Sequence, residues 1–208
     1  MTSPEYELLA AQHRTLPDLS HTHIRLIRES EASGETAAVY QQFRDTAGRT
    51  DVPGILQCFG INPPLLRHFI GLSSSLLFTD GFLPRRQKEL IATWISYQNA
   101  CPYCLDSHAF FLRVHGGAAS TVERLAAGDL AGADISQAER LLLTYLARVE
   151  RVSFRLTRED VETLLAAGWA EEQVAEAVHV ATVMGLCNRI ANAFGLPSQH
   201  LLDLAPQE

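Results

Sequence analysis

The chain has 208 residues, of which 47% are hydrophobic and 20% charged, and its formal net charge is −7. This length suffices for one domain with a substantial core, and an acidic chain without a Lys/Arg run is a poor candidate for binding nucleic acid or an anionic membrane surface. Residues 1–13 carry acidic groups and no apolar segment, so they do not resemble a signal peptide, and no run approaches the roughly 18 apolar residues of a membrane span.

The first 34 residues contain Pro4 and Pro17 and no clear periodicity, which predicts an irregular N-terminal arm followed by one domain over residues 35–208. From there on the apolar spacing is helical, and no alternating strand pattern of useful length appears, so we expect an all-α fold. Helices are predicted over residues 35–44, from Pro64 onward, and over 84–98, 102–116, 120 onward, 136–148, 157–168 and 171–194.

Local start and stop signals set these boundaries. Proline in a first helical turn has no N–H to lose, which places helix starts at Pro84 and Pro102. Gly116-Gly117 is a typical stop. Capping boxes are predicted at three pairs: Ser120 with Glu123, Ser136 with Glu139, and Thr157 with Asp160.

The most informative motif is Cys101-Pro102-Tyr103-Cys104, followed by His108, in a chain with four cysteines. If Pro102 is the first helical residue, Cys101 is the N-cap and Cys104 lies in the first turn. Both sulfurs then lie at the positive end of a helix, which favours thiolate over thiol. At about 100° per residue, the two cysteines and His108 fall within a sector of roughly 60°, so the imidazole can exchange a proton with Cys104.

Glu89 is a second candidate partner, twelve residues before Cys101 on the preceding predicted helix. A break at Asn99-Ala100 would fold that helix back against the cysteine helix, where a carboxylate can orient a histidine or relay a proton. From the residues alone, three interpretations remain open for the cysteines: a redox dithiol, two inert buried cysteines, or part of a zinc site that lacks a full set of four ligands.

The spacing of Glu89, the CxxC pair and His108 resembles the alkylhydroperoxidase D-like branch of the carboxymuconolactone decarboxylase superfamily. The segment 96–104, Ser-Tyr-Gln-Asn-Ala-Cys-Pro-Tyr-Cys, is similar to its peroxidase-related subgroup. The likeness is specific over residues 83–116 and weaker beyond. It implies an all-helical AhpD-like domain that forms a homo-oligomer. Four cysteines in a chain whose start does not resemble a signal peptide predict a cytoplasmic protein, and a dithiol cycle requires no metal or organic cofactor.

The same resemblance implies roles for four residues. Cys104 attacks a hydroperoxide, Cys101 resolves the sulfenic acid as a disulfide, and His108 and Glu89 relay protons. A lipoyl- or thioredoxin-like dithiol protein would then reduce the disulfide. The best-known members have a histidine between the cysteines where this chain has Tyr103, and a neutral phenol is no base near pH 7.

Two other functions remain as alternatives. The dithiol could be a shuttle that reduces a separate peroxidase, or the chain could be a non-enzymatic zinc-binding or redox-sensing protein. Cys58 and Cys187 have no partners nearby in the sequence and are interpreted as core thiols. Arg85, Arg86 and Lys88 form a basic cluster that fits either a solvated face or a contact with an acidic partner.

Overall fold

The computed structural model describes residues 4–11 and 16–204, and within these ranges it contains ten α-helices and no β-strand. The prediction of an all-α fold is confirmed. The helices are α1 Pro4–Ala11, α2 Gly34–Ala47, α3 Gly54–Gln57, α4 Pro63–Leu76, α5 Arg85–Gln98, α6 Pro102–Val114, α7 Ala119–Ala126, α8 Gln137–Val152, α9 Arg158–Ala166 and α10 Glu171–Phe194, with short 3₁₀ turns at Ser153–Arg155 and Leu202–Leu204. No helix in the described part of the chain is long and apolar enough to cross a membrane.

Helix α5 lies at the centre of the fold and contacts α6, α7, α8 and α10. Every residue from 88 to 96 is buried, including apolar groups such as Leu90, Ile91 and Ile95 that form the core. A helix that is covered on all sides gains stability mainly from packing. It also provides a rigid element from which the candidate site is built.

The basic cluster at the start of α5 is neither a solvated face nor an outward contact for an acidic partner, because each cation pairs with a carboxylate of this chain. Arg85 pairs with Glu89 at 2.6 Å, Arg86 with Glu139 at 2.6 Å and Lys88 with Glu176 at 2.8 Å. Lys88 is 1% exposed, and its Nζ also donates to the carbonyls of Leu76 and Thr79. A buried ammonium with this many partners fastens the loop between α4 and α5 to α10.

Two of the three predicted capping boxes are confirmed. Ser136 and Glu139 exchange side-chain and backbone hydrogen bonds at the start of α8, and the Thr157 N–H donates to Asp160 before α9. The box at Ser120 is wrong, because α7 begins at Ala119 with Ala118 as its N-cap. Gly117 folds closely onto Leu112 and donates to its carbonyl, so the chain enters α7 directly after α6 ends.

The N-terminal region was expected to be irregular, but residues 4–11 form α1. Tyr6 and Leu9 are buried with Phe110, Phe111 and Leu201, because two large apolar side chains on one short helix can close over the end of α6. Residues 1–3 and 12–15 of the predicted arm lie outside the described residues. The domain boundary at residue 35 stays a prediction.

A three-residue break separates α5 from α6 and places the cysteines. Asn99 caps α5, Ala100 has a left-handed φ of 47°, and Cys101 is the N-cap of α6 with Pro102 in the first turn. The Asn192 side chain on α10 donates to the carbonyls of Asn99 and Ala100. This break folds α6 back along α5, as predicted.

Candidate functional site

The two cysteines of the CxxC motif lie at the N-terminus of α6 as free thiols, both buried. Cys101 is the N-cap, and Cys104 is one turn inside the helix, 3% exposed. Their sulfurs are hydrogen-bonded to each other. The positions predicted for them relative to the helix start are therefore those observed.

The two sulfurs carry charge unequally. The pKa of Cys101 is lowered, first because its sulfur accepts a hydrogen bond from the Cys104 thiol, and further by the backbone N–H groups of Cys104 and Tyr103 and the amide of Asn188. The pKa of Cys104 is raised well above its usual value because it donates to Cys101 and is buried. The expectation that the helix start favours thiolate at both positions is wrong, because two adjacent buried sulfurs share one negative charge.

Glu89 and His108 are brought together by the packing of α5 against α6. The imidazole Nδ1 lies 2.6 Å from Glu89 Oε2, and Arg85 Nη2 donates to Glu89 Oε1, also at 2.6 Å. The carboxylate is 1% exposed, so hydrogen bonds to these two partners replace those that water would make. A carboxylate at Nδ1 fixes the ring orientation and leaves Nε2 to act on a substrate.

A cavity of about 530 Å³ opens beside the cysteine helix. Cys104 and His108 both line it, whereas Cys101 does not. Much of the remaining wall is apolar and aromatic, including Phe43, Phe69, Phe78 and Phe111. The cavity has the size of sites that bind small organic molecules, and Cys104 is the sulfur that such a molecule would meet.

Cys187 on α10 also lines this cavity, which the sequence did not reveal because 83 positions separate it from Cys104. Burial, and to a smaller extent the charge on Cys101, raises the pKa of Cys187 to about 12. Cys58 likewise has its pKa raised to about 12 by burial and by Cys187. The two cysteines therefore do have neighbours, and both are protonated near pH 7.

Comparison with known proteins shows which families and folds this chain is similar to. Residues 63–144, which contain α4 to α7 and all four predicted site residues, match the carboxymuconolactone decarboxylase family. A peroxidase-related protein from Ralstonia eutropha JMP134 with an alkylhydroperoxidase AhpD core is 23% identical, with 89% of this chain and 98% of that one covered at a TM-score of 0.77. Over residues 63–144 the chain is similar to the carboxymuconolactone decarboxylase family, and its fold is AhpD-like.

Other solved structures have the same AhpD-like fold as this protein. A peroxidase-related protein from Silicibacter sp. TM1040 is 22% identical over 91% of this chain and 97% of its own, at a TM-score of 0.75. The debrominase Bmp8 in complex with 2,3,4-tribromopyrrole is 21% identical over 89% and 96%, at a TM-score of 0.68. No curated protein sequence matches the chain.

Tyr103, between the two cysteines, has a structural contact instead of a basic nitrogen. Its hydroxyl accepts a hydrogen bond from the Ile55 N–H at 3.1 Å, and burial raises the pKa of the phenol far above neutral. The side chain ties the start of α3 to α6. It supplies no base to the dithiol near pH 7.

Metal-binding side chains were a further possibility for this site. Within residues 4–11 and 16–204, no three His, Cys, Asp or Glu side chains are arranged to hold one ion. The ligand set that the zinc-binding alternative requires is therefore not found in those ranges.

Proposed function

We propose that the protein is a thiol-dependent peroxidase that reduces organic hydroperoxides with the Cys101–Cys104 dithiol. The observation that carries this proposal is that Cys104 and His108 line the same cavity. Glu89 orients the imidazole through its contact with Nδ1. Peroxidase-related proteins with the same fold support it. Reduction of peroxide by a dithiol needs a reachable sulfur, a second thiol and a proton donor, and the arrangement offers all three.

In the first step, Cys104 attacks the terminal oxygen of the hydroperoxide. The pair already holds one negative charge, so moving the shared proton from Cys104 to Cys101 makes Cys104 the thiolate. The O–O bond breaks as the S–O bond forms, giving the Cys104 sulfenic acid and an alcohol, whose oxygen takes a proton from His108. Glu89 stabilises the protonated imidazole that donates it.

In the second step, the Cys101 sulfur attacks the sulfenic acid, water leaves and a Cys101–Cys104 disulfide forms. A dithiol donor of the lipoyl or thioredoxin type then reduces this disulfide by exchange through a mixed disulfide. Two electrons enter from the donor and two leave to the peroxide, so each cycle balances with no metal or organic cofactor.

The cavity favours an organic hydroperoxide over hydrogen peroxide. A volume of about 530 Å³ exceeds by more than tenfold the roughly 30 Å³ that a water-sized molecule occupies in liquid. Burial of an apolar substituent against its aromatic walls is favourable. We expect kcat/KM for cumene hydroperoxide to exceed that for hydrogen peroxide.

A second function uses the same dithiol for reductive dehalogenation. Bmp8 is a debrominase seen with a tribrominated pyrrole, and its fold matches that of this protein. The aromatic-walled cavity beside Cys104 suits such a flat apolar ring. In that reaction the dithiol supplies two electrons, the ring carbon gains a proton, bromide leaves and the disulfide forms.

The test measures peroxide consumption with a dithiol donor, beside release of bromide from a brominated pyrrole. Cys104→Ser is expected to abolish turnover, and Cys101→Ser to accumulate a sulfenic acid at Cys104 that a dimedone probe traps. Cys187→Ser, in the same cavity, is the matched control and should keep most activity. Wild-type-like turnover by both CxxC variants would overturn the mechanism, and rapid disulfide exchange without peroxide turnover would favour the shuttle.

A further inference from the structure

One side of helix α6 forms part of the wall of the cavity beside the dithiol. Four residues at the spacing of a single helix face line the cavity there: Cys104, Ser107, His108 and Phe111. Gln199, from the segment that follows α10, also lines the cavity and contacts this face at Ser107. A group bound to Ser107 therefore lies about one helical turn from the reactive sulfur and next to the imidazole.

Two sets of hydrogen bonds fix the position of Gln199. Its backbone N–H donates to Asp106 Oδ2 at 3.2 Å, and the same carboxylate accepts the N–H groups of Leu201 at 2.9 Å and Leu202 at 3.0 Å. The side-chain Nε2 of Gln199 donates to Ser107 Oγ at 2.7 Å. Gln199 is 9% exposed, so its amide is held in one place before any ligand enters the cavity.

The direction of the Gln199 amide follows from the hydrogen bonds of Ser107. A serine hydroxyl has a single hydrogen to donate, and Ser107 Oγ donates it to the carbonyl of Tyr103 at 3.0 Å. The hydroxyl can therefore only accept from Gln199, so the amide nitrogen must face Ser107. The amide oxygen must then lie on the side away from Ser107.

The amide oxygen of Gln199 accepts no hydrogen bond from any residue in the described part of the chain. Unlike Gln57 Oε1, which is enclosed without a partner, Gln199 Oε1 keeps accessible surface. Polar atoms in such surroundings are ordinarily hydrogen-bonded to water or to a ligand when the protein supplies no partner. The cavity that contains Cys104 and His108 therefore offers a hydrogen-bond acceptor to whatever binds there.

We propose that Gln199 is a specificity-determining residue that accepts a hydrogen bond from the substrate, and that the substrate is an organic hydroperoxide with a hydroxyl or N–H group on its apolar body. The inference rests on the proposed function, because it takes the cavity beside Cys104 as the substrate site. Apolar walls bind any substituent of suitable size, whereas a buried acceptor favours a substituent that donates a hydrogen bond. Ser107 is a positioning residue, because it turns the amide oxygen toward the cavity.

The experiment compares the binding of two ligands that contain no peroxide group. The first, para-isopropylphenol, carries a hydroxyl donor, and the second, para-isopropylanisole, has a methyl group in place of that hydrogen. Ligand-observed NMR titration of the reduced protein gives both dissociation constants. The quantity compared between variants is the ratio of the affinity for the phenol to the affinity for the anisole.

Gln199→Leu keeps a similar side-chain volume but removes the acceptor. We expect its affinity ratio to be about five- to tenfold lower than that of the wild type, because one hydrogen bond to the phenol is lost. Gln42→Leu is the matched control: Gln42 lines the same cavity from α2, but it is exposed to solvent. Its loss should leave the affinity ratio at the wild-type value.

Ser107→Ala is the second variant, for the case in which Gln199→Leu does not fold. Without the hydroxyl, the Gln199 amide can turn either end to the cavity, and the affinity ratio should fall about two- to threefold. An unchanged ratio in either folded variant, an equal fall in Gln42→Leu, or no binding of the phenol to the wild type would overturn the proposal. Neither ligand is a peroxide, so the expected fall in a protein without peroxide turnover would reject the peroxidase alone.

Discussion

Glu89 is a single buried carboxylate shared by two partners of different kinds. Arg85 occupies one oxygen and His108 the other, each at 2.6 Å. The guanidinium fixes the position of the carboxylate, and the carboxylate then orients the imidazole. Position 89 thus links the start of α5 to His108 on α6.

Replacing Glu89 by glutamine tests this linkage. Glu89→Gln keeps the shape but removes the charge that stabilises a protonated His108, so we expect kcat/KM for an organic hydroperoxide to fall about a hundredfold. Steady-state peroxide consumption measures the loss. Glu139→Gln is the matched control, because it makes the same change beside Arg86 without touching a histidine. Equal losses in both variants would assign the effect to the ion pairs of α5 in general.

Tyr103 lies inside the CxxC motif, but its hydroxyl has a structural contact. In contrast to Glu89, we expect its replacement to affect stability more than turnover. Tyr103→Phe leaves the Ile55 N–H without its acceptor, which should lower the free energy of unfolding by about 1–2 kcal/mol. Peroxide turnover at pH 7 should stay within twofold of wild type, because the phenol holds its proton there. Urea denaturation measures the change in stability, and the peroxide assay measures turnover. A large loss of turnover in a stable variant would show that the hydroxyl takes part in the chemistry.

At the level of elements, the break between α5 and α6 is held in a conformation that alanine adopts reluctantly. Ala100 has a φ of 47°, where glycine is favoured over residues with a Cβ. Ala100→Gly should therefore raise the free energy of unfolding by about 1 kcal/mol. Ala127→Gly is the control, because Ala127 caps α7 with an ordinary φ of −87° and should lose stability. Chemical denaturation measures the free energy of unfolding of both variants. A destabilised Ala100→Gly variant would contradict the proposal that Ala100 is strained.

Sequence patterns predicted those elements and site residues whose signals are local. Pro102 placed the start of α6, Ser136 placed α8, and the spacing of Glu89 and His108 from the cysteines placed both in one site. Ser120 misled, because the fold of Gly117 onto Leu112 started α7 earlier than the capping pattern indicated.

The partners from distant parts of the chain could not be predicted in this way. Asn188 and Cys187 reach the dithiol only because α10 packs against α5 and α6. The division of charge between Cys101 and Cys104 depends on which sulfur donates the hydrogen bond between them and which accepts it. The spacing of apolar residues shows which face of a helix is buried. It does not show which faces of two distant helices pack together, and these contacts depend on that.

Across the whole molecule, buried thiols make stability sensitive to alkaline pH. Burial raises the pKa of Cys58 and Cys187 from 9.0 to about 12, so above pH 9 the unfolded chain releases protons that the folded protein keeps. Unfolding is then favoured as pH rises, by about 1.4 kcal/mol per pH unit for each thiol. Cys101 has a lowered pKa, so its contribution is complete above pH 9 and is lost only as pH falls below that.

We therefore expect the free energy of unfolding to fall between pH 9 and 10.5 in the presence of a non-thiol reductant. The double variant Cys58→Ala/Cys187→Ala should show a slope shallower by up to about 3 kcal/mol per pH unit. Urea denaturation across this range provides both slopes. Parallel slopes for the two proteins would show that these thiols ionise as readily in the folded state as in the unfolded one.

Burial of the dithiol also decides what can reduce it. With Cys104 3% exposed and Cys101 buried, a cysteine on the surface of a globular donor of the thioredoxin type reaches the sulfurs less easily than a dithiol carried on a flexible arm. A long, thin arm that carries its dithiol at the tip can enter through the cavity mouth. The depth of the site thus selects protein electron donors by their reach before their reduction potentials matter.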